Sequence, residues 1–440
     1  MINNFSVEDI QNKIKEYSKV NKDNSNEYGE VFTPYIQVNV MLDKMPKEVW
    51  TNPELKFLDP ANGIGNFPMV AYLYLMDGLK LWQPNPELRS KHIIKNMLYM
   101  VEINPVNVEI SRSIFGPDAN IYCGSFLDVD CPYTHPDIIM GNPPFNKPIS
   151  QEQRNQGGGF GGRTLWDKFI TKSMNILNDN GYLTFINPSN WRGLGPLRSI
   201  WDLLTKHQIH YIQINGMKAG MSVFNVGSRF DNYLVQKKPY SEPTLIIDEY
   251  GDTHRFKIDK LPFLPNFAYD LIIPLLNDEG PGVIYSRTAY GTDKPHMSKG
   301  IDVIISHTSY PTWKENKTMN KQITPDHIYP VVHSINKHGL GCWYSNRNDN
   351  GHFGVPKVLL NFNAKQYNYP EQNDWEGKYG MSQITFGIPI TSKEEGDTIL
   401  KAMGTDKFKT LIKATKWATF QTDYRMFRYF KNDFFIKLLE

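Results

Sequence analysis

Between residues 55 and 236, short apolar runs of strand length alternate with longer stretches in which apolar side chains recur every three or four residues. Such alternation buries its apolar surface by stacking helices on a parallel sheet, and right-handed crossovers then wind the chain to both faces. The strand-like runs lie at 55–59, 97–102, 120–123, 136–140, 181–187, 209–214 and 232–236. The helical runs lie at 67–79, 105–115, 165–177 and 196–206. The expected fold class is therefore α/β, with a doubly wound, seven-stranded, mostly parallel sheet.

Beyond Lys237 the alternation is lost, and 238–243 is polar and turn-rich. This places a boundary after residue 240: an N-terminal helical extension at 1–27, an α/β domain at 28–240, and a loop-rich, mixed α+β domain at 241–440. The last 40 residues combine nine Lys or Arg and four Asp or Glu with Trp417, Phe420, Tyr424, Phe427, Tyr429, Phe430, Phe434 and Phe435. Two readings are open for these rings: a basic, aromatic surface for nucleic acid, or an amphipathic helix packing its aromatic face. The glycine run 157–162 is either a loop that orders over a ligand or a spacer. Asp374 with Glu376 and Lys378 has the residue types of a nuclease site, although exposed charges in a polar turn explain it better.

A chain of 440 residues with 40% hydrophobic and 21% charged residues folds as a globular protein, and its net charge of +2 carries no polyanion signal as a whole. Cys123, Cys131 and Cys342 form no C-x-x-C pair, so neither a disulfide framework nor a cysteine metal site is expected. The first 20 residues lack an apolar signal core, and no run of about 18 apolar residues follows. A reducing, cytoplasmic setting without membrane insertion is the expectation.

Three strand tips carry chemistry. The first runs through Asp59-Pro60-Ala61-Asn62-Gly63-Ile64-Gly65-Asn66-Phe67, where glycines let a ligand approach the backbone and Asp59 can accept from an ammonium or hydroxyl. A bare strand-to-helix turn is the other reading. The second ends at Glu102, placed to chelate a ribose diol or else to cap the helix that Pro105 begins. Its distance from Gly65 exceeds the usual ~20 residues, so 77–96 should hold an extra helix or loop. The third runs into Asn142-Pro143-Pro144-Phe145. Two prolines stiffen the backbone, leaving the Asn142 amide and the Pro143 carbonyl as acceptors. This fork suits a planar exocyclic amino group whose ring stacks on Phe145.

With those segments in this order, residues 28–236 resemble the gamma class of S-adenosylmethionine-dependent DNA adenine-N6 methyltransferases. Gly29-Glu30-Val31-Phe32-Thr33-Pro34 resembles that class's N-terminal Thr-Pro element, although Thr33-Pro34 also reads as an ordinary helix start. The resemblance implies a Rossmann-like methyltransferase fold and S-adenosylmethionine as the cofactor. Contacts with the methionine part are implied for Thr33 and Pro34. The glycine turn supplies Asp59, Ala61, Gly63, Gly65 and Phe67, and the next tips supply Glu102, Ile103, Ser125, Phe126 and Asn142. The third-strand segment departs from the family at Ser125, where Asp is usual, so Asp128 is an alternative contact. Asn62 stands where Cys is common.

The catalytic residues implied are Asn142, Pro143, Pro144 and Phe145, and the flipped base is implied to lie between Phe145 and Phe224, for which a core role is the other reading. Trp166 either meets the cofactor or packs in the core. No metal is implied. The partners implied are double-stranded DNA and a cognate restriction endonuclease, with the chain a monomer or weak dimer and 241–440 the target-recognition domain. Asn at the head of the tetrapeptide favours adenine. Alternatives are methylation of a guanine amino group in RNA or of a protein glutamine, or a catalytically silent DNA-binding partner subunit.

Overall fold

The computed structural model describes residues 33–128, 131–147, 164–277, 285–286, 319–349, 352–361, 368–382, 384–417 and 422–440, together with Glu8, Asp9 and Asn12. The extension at 1–27, the glycine run 157–162 and Phe420 lie outside them, apart from those three residues. The chain forms two compact units: 1–192 with 196–261, and 193–195 with 262–440.

The first unit is built on one sheet: β1 (Phe57–Asp59), β2 (Leu98–Glu102), β3 (Asn120–Cys123), β4 (Ile138–Gly141), β5 (Tyr182–Pro188), β6 (His207–Asn215), β7 (Phe230–Pro239), β8 (Thr244–Ile247) and β9 (Thr253–Phe256). The strand order is β3-β2-β1-β4-β5-β7-β6-β8-β9. Strands β3, β2, β1, β4 and β5 are parallel neighbours, so their C-terminal tips share one edge. Strand β7 runs antiparallel between β5 and β6.

All seven expected strands are present, with a correction to their number and to the domain boundary. β8 pairs parallel to β6, and β9 pairs antiparallel to β8, making nine strands and carrying the unit to Leu261 rather than 240. The polar turn at 238–243 joins strands of one sheet. Fully buried Gln208 satisfies its backbone, accepting from the Ser241 and Glu242 amides (2.9 and 2.8 Å) and donating to the Glu242 carbonyl (3.0 Å). A turn so paired reads in sequence like a linker because its partner lies 33 residues away.

Besides a single turn at Glu48–Thr51, the α-helices among the described residues of this unit's sheet and crossovers are α1 (Tyr35–Leu42), α2 (Asn66–Gly78), α3 (Pro86–His92), α4 (Pro105–Phe115), α5 (Trp166–Ile176), α6 (Arg198–Leu204) and α7 (Met217–Phe224). The extra element in the first crossover is α3, which continues into a π-helical turn at Ile93–Met97. α1, α2 and the β1, β2 and β4 strands share a core that includes Val38, Phe57, Val70, Leu75, Met100 and Ile138.

The second unit is mixed α+β. One sheet has the order β10 (Tyr285–Ser286), β17 (Thr385–Pro389), β14 (Lys357–Asn361) and β15 (Asn373–Asp374). The other has β11 (Met319–Asn320), β13 (Gly339–Ser345), β12 (Tyr329–Asn336) and β16 (Gly380–Met381). Val332, Ile335 and Met381 of the second sheet pack with Leu359 of the first. In the tail, Trp417, Phe427, Phe430, Phe434 and Phe435 are buried, with the Phe430 and Phe434 ring centroids 5.1 Å apart. These rings form core, and the basic residues lie around them. The expected single helix is broken into α8 (Lys393–Met403), α9 (Asp406–Ala414), a 3-10 turn at Tyr424–Tyr429 and α10 (Phe434–Leu439).

Asp374 is buried, a correction to its expectation as an exposed turn charge; Glu376 and Lys378 are exposed as expected. Its carboxylate accepts from Lys357 Nζ at 2.6 Å and from the amides of Lys378 and Tyr379. Lys357, itself fully buried, donates also to the His352 and Val355 carbonyls. The pair is a saturated internal strut, with no arrangement for cleaving a phosphodiester. Removing one partner of a buried pair strands the other charge and costs about 3–5 kcal/mol. Asp374→Ala should lower the urea midpoint accordingly, whereas the double change Lys357→Met with Asp374→Leu should restore only part of it, because the Lys378 and Tyr379 amides still lose their acceptor.

Candidate active site

The β1 tip is shaped by what lies under it. Asp59 is 1% exposed and its Oδ1 accepts from the Ala61 amide at 3.1 Å. Gly141, at the end of neighbouring β4, closes over that carboxylate: a Cβ there would fall 2.9 Å from Asp59 Oδ1. Gly65 turns the chain into α2 with φ +95°, and a Cβ on it would meet the Phe115 ring at 2.8 Å. Both positions need glycine, for close approach in one case and for conformation as well in the other.

Glu102, 6% exposed at the β2 tip, binds two backbone amides. Its Oε2 accepts from Gly63 at 2.6 Å and its Oε1 from Asn104 at 2.7 Å. The cap of α4 is Asn104, whose Oδ1 accepts from the Val106 amide at 3.0 Å, so Glu102 ties the glycine turn to the neighbouring strand instead. A carboxylate has about four acceptor positions, so two amides do not saturate it by themselves. Beside it Ile103 is 55% exposed, an apolar surface at the mouth of the edge.

Burial pushes the Asp59 carboxyl up to about 8, with the Glu102 charge adding and the Ala61 amide opposing. Two acids at adjacent tips, one of them costly to ionise, make this edge electrostatically fit for a cation.

At the β4 tip, Asn142, Pro144 and Phe145 are half-buried and Pro143 is buried. The tip is thus not sealed in the core. Phe145 packs one side against the core, and its carbonyl accepts from the Leu165 amide at 3.0 Å. Asn142 Nδ2 donates to Thr33 Oγ1 at 3.1 Å. Phe224, the last residue of α7, is also half-buried at the core margin and meets Phe230 edge-on at 4.9 Å.

Several expected contact residues are placed otherwise. Phe67 (3% exposed) and Phe126 (1%) give no ring surface to a ligand in this conformation. Phe126 stacks on Phe169 at 5.5 Å, with Lys172 Nζ 5.1 Å from its ring centre. Thr33, Asp59 and Gly65 are likewise buried, and Trp166, 1% exposed, is core. The surface left at the edge comes from Pro34, Ala61, Gly63, Ile103, Ser125 and Asn142. Ser125 Oγ accepts from the Leu127 amide at 3.1 Å, and the exposed Asp128 follows it.

Two features escaped the sequence reading. Asn66, first residue of α2, donates from Nδ2 to the Thr33 carbonyl at 2.8 Å. At the neighbouring edge Asp231, fully buried on β7, accepts from Ser189 Oγ, Trp191 Nε1 and Arg192 Nε (2.8, 2.8 and 2.6 Å). A lone acid inside an apolar strand was the available signal for the second.

The strand order, the glycine turn and the Asn-Pro-Pro-Phe tip make the first unit a doubly wound α/β unit whose parallel strand tips gather the candidate residues at one edge. Residues 134–219, which hold that tip, match the family model of the Eco57I restriction-modification methylase. An uncharacterized adenine-specific methylase of Mycoplasma pneumoniae is 40% identical over 90 residues, 20% of this chain and 21% of that protein. The match therefore spans about a fifth of that relative's length. Among solved structures, the M protein of the type I restriction enzyme EcoKI is 18% identical, with TM-score 0.37 over 49% of this chain and 48% of its own. The DrdV–DNA complex is 12% identical, with TM-score 0.42 over 66% and 37%.

A cation near Asp59 favours its ionised form, so binding should release a proton below about pH 8. Affinity for S-adenosylmethionine should rise with pH toward that value, by at most about tenfold per unit, and then level off. Titration calorimetry in buffers of different ionisation enthalpy reads the proton. Because a raised carboxyl pKa destabilises the fold as pH climbs from the unfolded value toward the folded one, Asp59→Asn should melt higher at pH 7 without ligand, bind more weakly and lose the proton release.

Proposed function

We propose that this chain transfers a methyl group from S-adenosylmethionine to the N6 amino group of an adenine extruded from double-stranded DNA. The observation that carries the reading is the Asn142-Pro143-Pro144-Phe145 tip, half-buried except for the buried Pro143, two strand positions from Glu102 and inside the segment that matches a restriction-modification methylase. The adenine-specific methylase that resembles part of the chain supports adenine over a guanine or glutamine amino group.

The residues present fit the cofactor. Ala61 and Gly63 would hold it through backbone, Glu102 would take hydroxyl donors, Ile103 would cover an aromatic ring, and the buried Asp59 carboxyl, ionising as the cation arrives, would favour it. Bound there, S-adenosylmethionine supplies an electrophilic methyl carbon on a sulfonium.

The chain's own work is geometric. An exocyclic amino nitrogen is a poor nucleophile because its lone pair is conjugated into the ring. Asn142 Oδ1 and the Pro143 carbonyl, as acceptors for its two hydrogens, favour a pyramidal nitrogen and stabilise the positive charge that develops on attack. The surplus proton leaves to water after the new N–C bond forms. Phe145 and Phe224 hold the extruded ring between them, offsetting lost stacking by about 1–3 kcal/mol per base.

Target recognition falls to the second unit, residues 262–440, in place of 241–440. Its β12–β13 hairpin supports this assignment: no acid occurs from His327 to Asn348, and Lys337 and His338 stand exposed at the turn. Past Val332 and Tyr344, where the pairing with β16 and β11 ends, the two strands continue to the turn as a two-stranded ribbon, a shape that fits a major groove.

Incubating purified protein and S-adenosylmethionine with unmethylated genomic DNA, then mapping modified adenines by single-molecule sequencing, should reveal one recurring site. Asn142→Ala should abolish the marks while calorimetry finds cofactor binding unchanged. Methylation that survives this change would remove the fork from the mechanism.

A further inference from the structure

Extruding a base leaves a hole in the duplex, and the pairing and stacking lost around it oppose the event. Proteins that open base steps frequently insert an apolar side chain there, Met among them. A side chain can serve in this way only if it stands exposed beside the active edge on backbone that does not yield.

The connection 216–229 has that place and that build. β6 ends at Asn215 and β7 begins at Phe230, which pairs with Asn215 and with Pro188 at the β5 tip. Because β4 and β5 are parallel, the connection leaves the sheet at the same edge as the Asn142 tip. On its inner side Ala219, Val223 and Phe224 pack against the core that Phe145 also meets. Past α7 the chain doubles back. Asn225 takes φ +55°, the Val226 amide donates to the Gly220 carbonyl at 3.3 Å, and a Cβ on Gly220 would collide with the Val226 and Ser228 carbonyls. The outer side of this tight knuckle exposes two large apolar side chains, Met221 at 51% and Val226 at 49%. Met221 Sδ lies 3.6 Å from where a Gly227 Cβ would stand, which brings it beside Val226.

Charge narrows what covers them. No acid occurs from Leu203 to Phe230, and Lys218 is exposed on α7. Of the acids that approach from neighbouring strands and turns, Glu249 pairs with Arg229 and Asp231 with Arg192. An apolar tip in an acid-free surround suits a stack of bases flanked by phosphates.

We propose that Met221 and Val226 form a wedge that enters the base stack at the position the target adenine vacates. This rests on the function proposed above and extends it to what holds the duplex open. The wedge supplies contact to the bases on either side of the hole, while Phe145 and Phe224 hold the ring that has left it.

Met221→Gln with Val226→Thr keeps length and shape while removing apolar surface, at two exposed sites where the fold tolerates change. The double variant is compared with wild type on two short duplexes carrying the site that sequencing reveals. One is fully paired; the other sets the target adenine opposite an abasic position, where less must be broken to extrude it. On the paired duplex kcat/KM for DNA should fall about tenfold at unchanged S-adenosylmethionine affinity, and on the abasic duplex variant and wild type should turn over alike. Unchanged transfer on the paired duplex overturns the proposal, and so does an equal loss on both. Sedimentation tests the other occupant: a wild-type dimer that the double variant dissociates would assign the patch to a second copy of the chain and overturn the wedge.

Should the wild-type protein methylate no DNA, the functional reading fails, and binding alone decides the wedge. Fluorescence anisotropy then compares an intact short duplex of arbitrary sequence with the same duplex lacking one central base. Wild type should prefer the gapped duplex and the double variant should not. Equal affinity of wild type for the two overturns the proposal.

Discussion

The active edge depends on the burial of one carboxylate. Asp59 lies between the Ala61 amide and the bare Cα of Gly141, which brings the β4 tip down onto the β1 tip. A side chain at residue 141 would push the two strands apart, and the Asn-Pro-Pro-Phe segment would lose its position relative to the glycine turn. The same burial raises the carboxyl's affinity for protons, so the constraint that aligns the tips also gives the edge its character toward cations. Glu102 reinforces the arrangement by tying the Gly63 amide to the β2 tip.

The parts of this edge legible in sequence were those set by local rules. Strand runs, glycines at the turn, prolines after Asn142 and an acid ending β2 all announce themselves within a few residues, and the sheet places them side by side. Exposure is not local. Phe67 and Phe126 occupy positions where the family resemblance implies a ligand contact, yet both rings fill core, because their neighbours on α4, α5 and the sheet close over them. The bond between Asn142 and Thr33 was equally hidden, since 109 residues separate them. At the other end of the unit, residues 238–243 carry every local mark of a linker, and only Gln208, from the far side of a hairpin, makes them a turn within the sheet.

The second unit teaches the same lesson with charge. In sequence Asp374 sits among polar turn residues and looks solvated. In the fold it is the acceptor for a buried lysine from β14, so what resembled a chemical triplet is a strut between β14 and the segment that follows β15. The basic, aromatic tail divides similarly: Phe427, Phe430, Phe434 and Phe435 pack together, Trp417 is buried against Phe263, and none of the tail's Lys and Arg residues is buried. Composition announced the residue types in both cases and left open which face each would occupy.

Two groups at the edge show how stability and chemistry are traded. Burying an acid whose carboxyl is pushed up to about 8 works against folding as pH rises, and a well-packed neutral residue would serve the fold better. Its retention makes sense if a cationic ligand draws the proton off and meets the charge so formed. The Asn142 amide poses the complementary problem, since it carries no charge and its two ends differ little in size, so packing alone cannot orient it. Hydrogen bonds must set it, and the one from Nδ2 to the Thr33 hydroxyl at 3.1 Å ties the β4 tip to the start of α1. Preorganisation at this edge is therefore of two kinds, one electrostatic and set by burial, the other directional and set by hydrogen bonds at the amide.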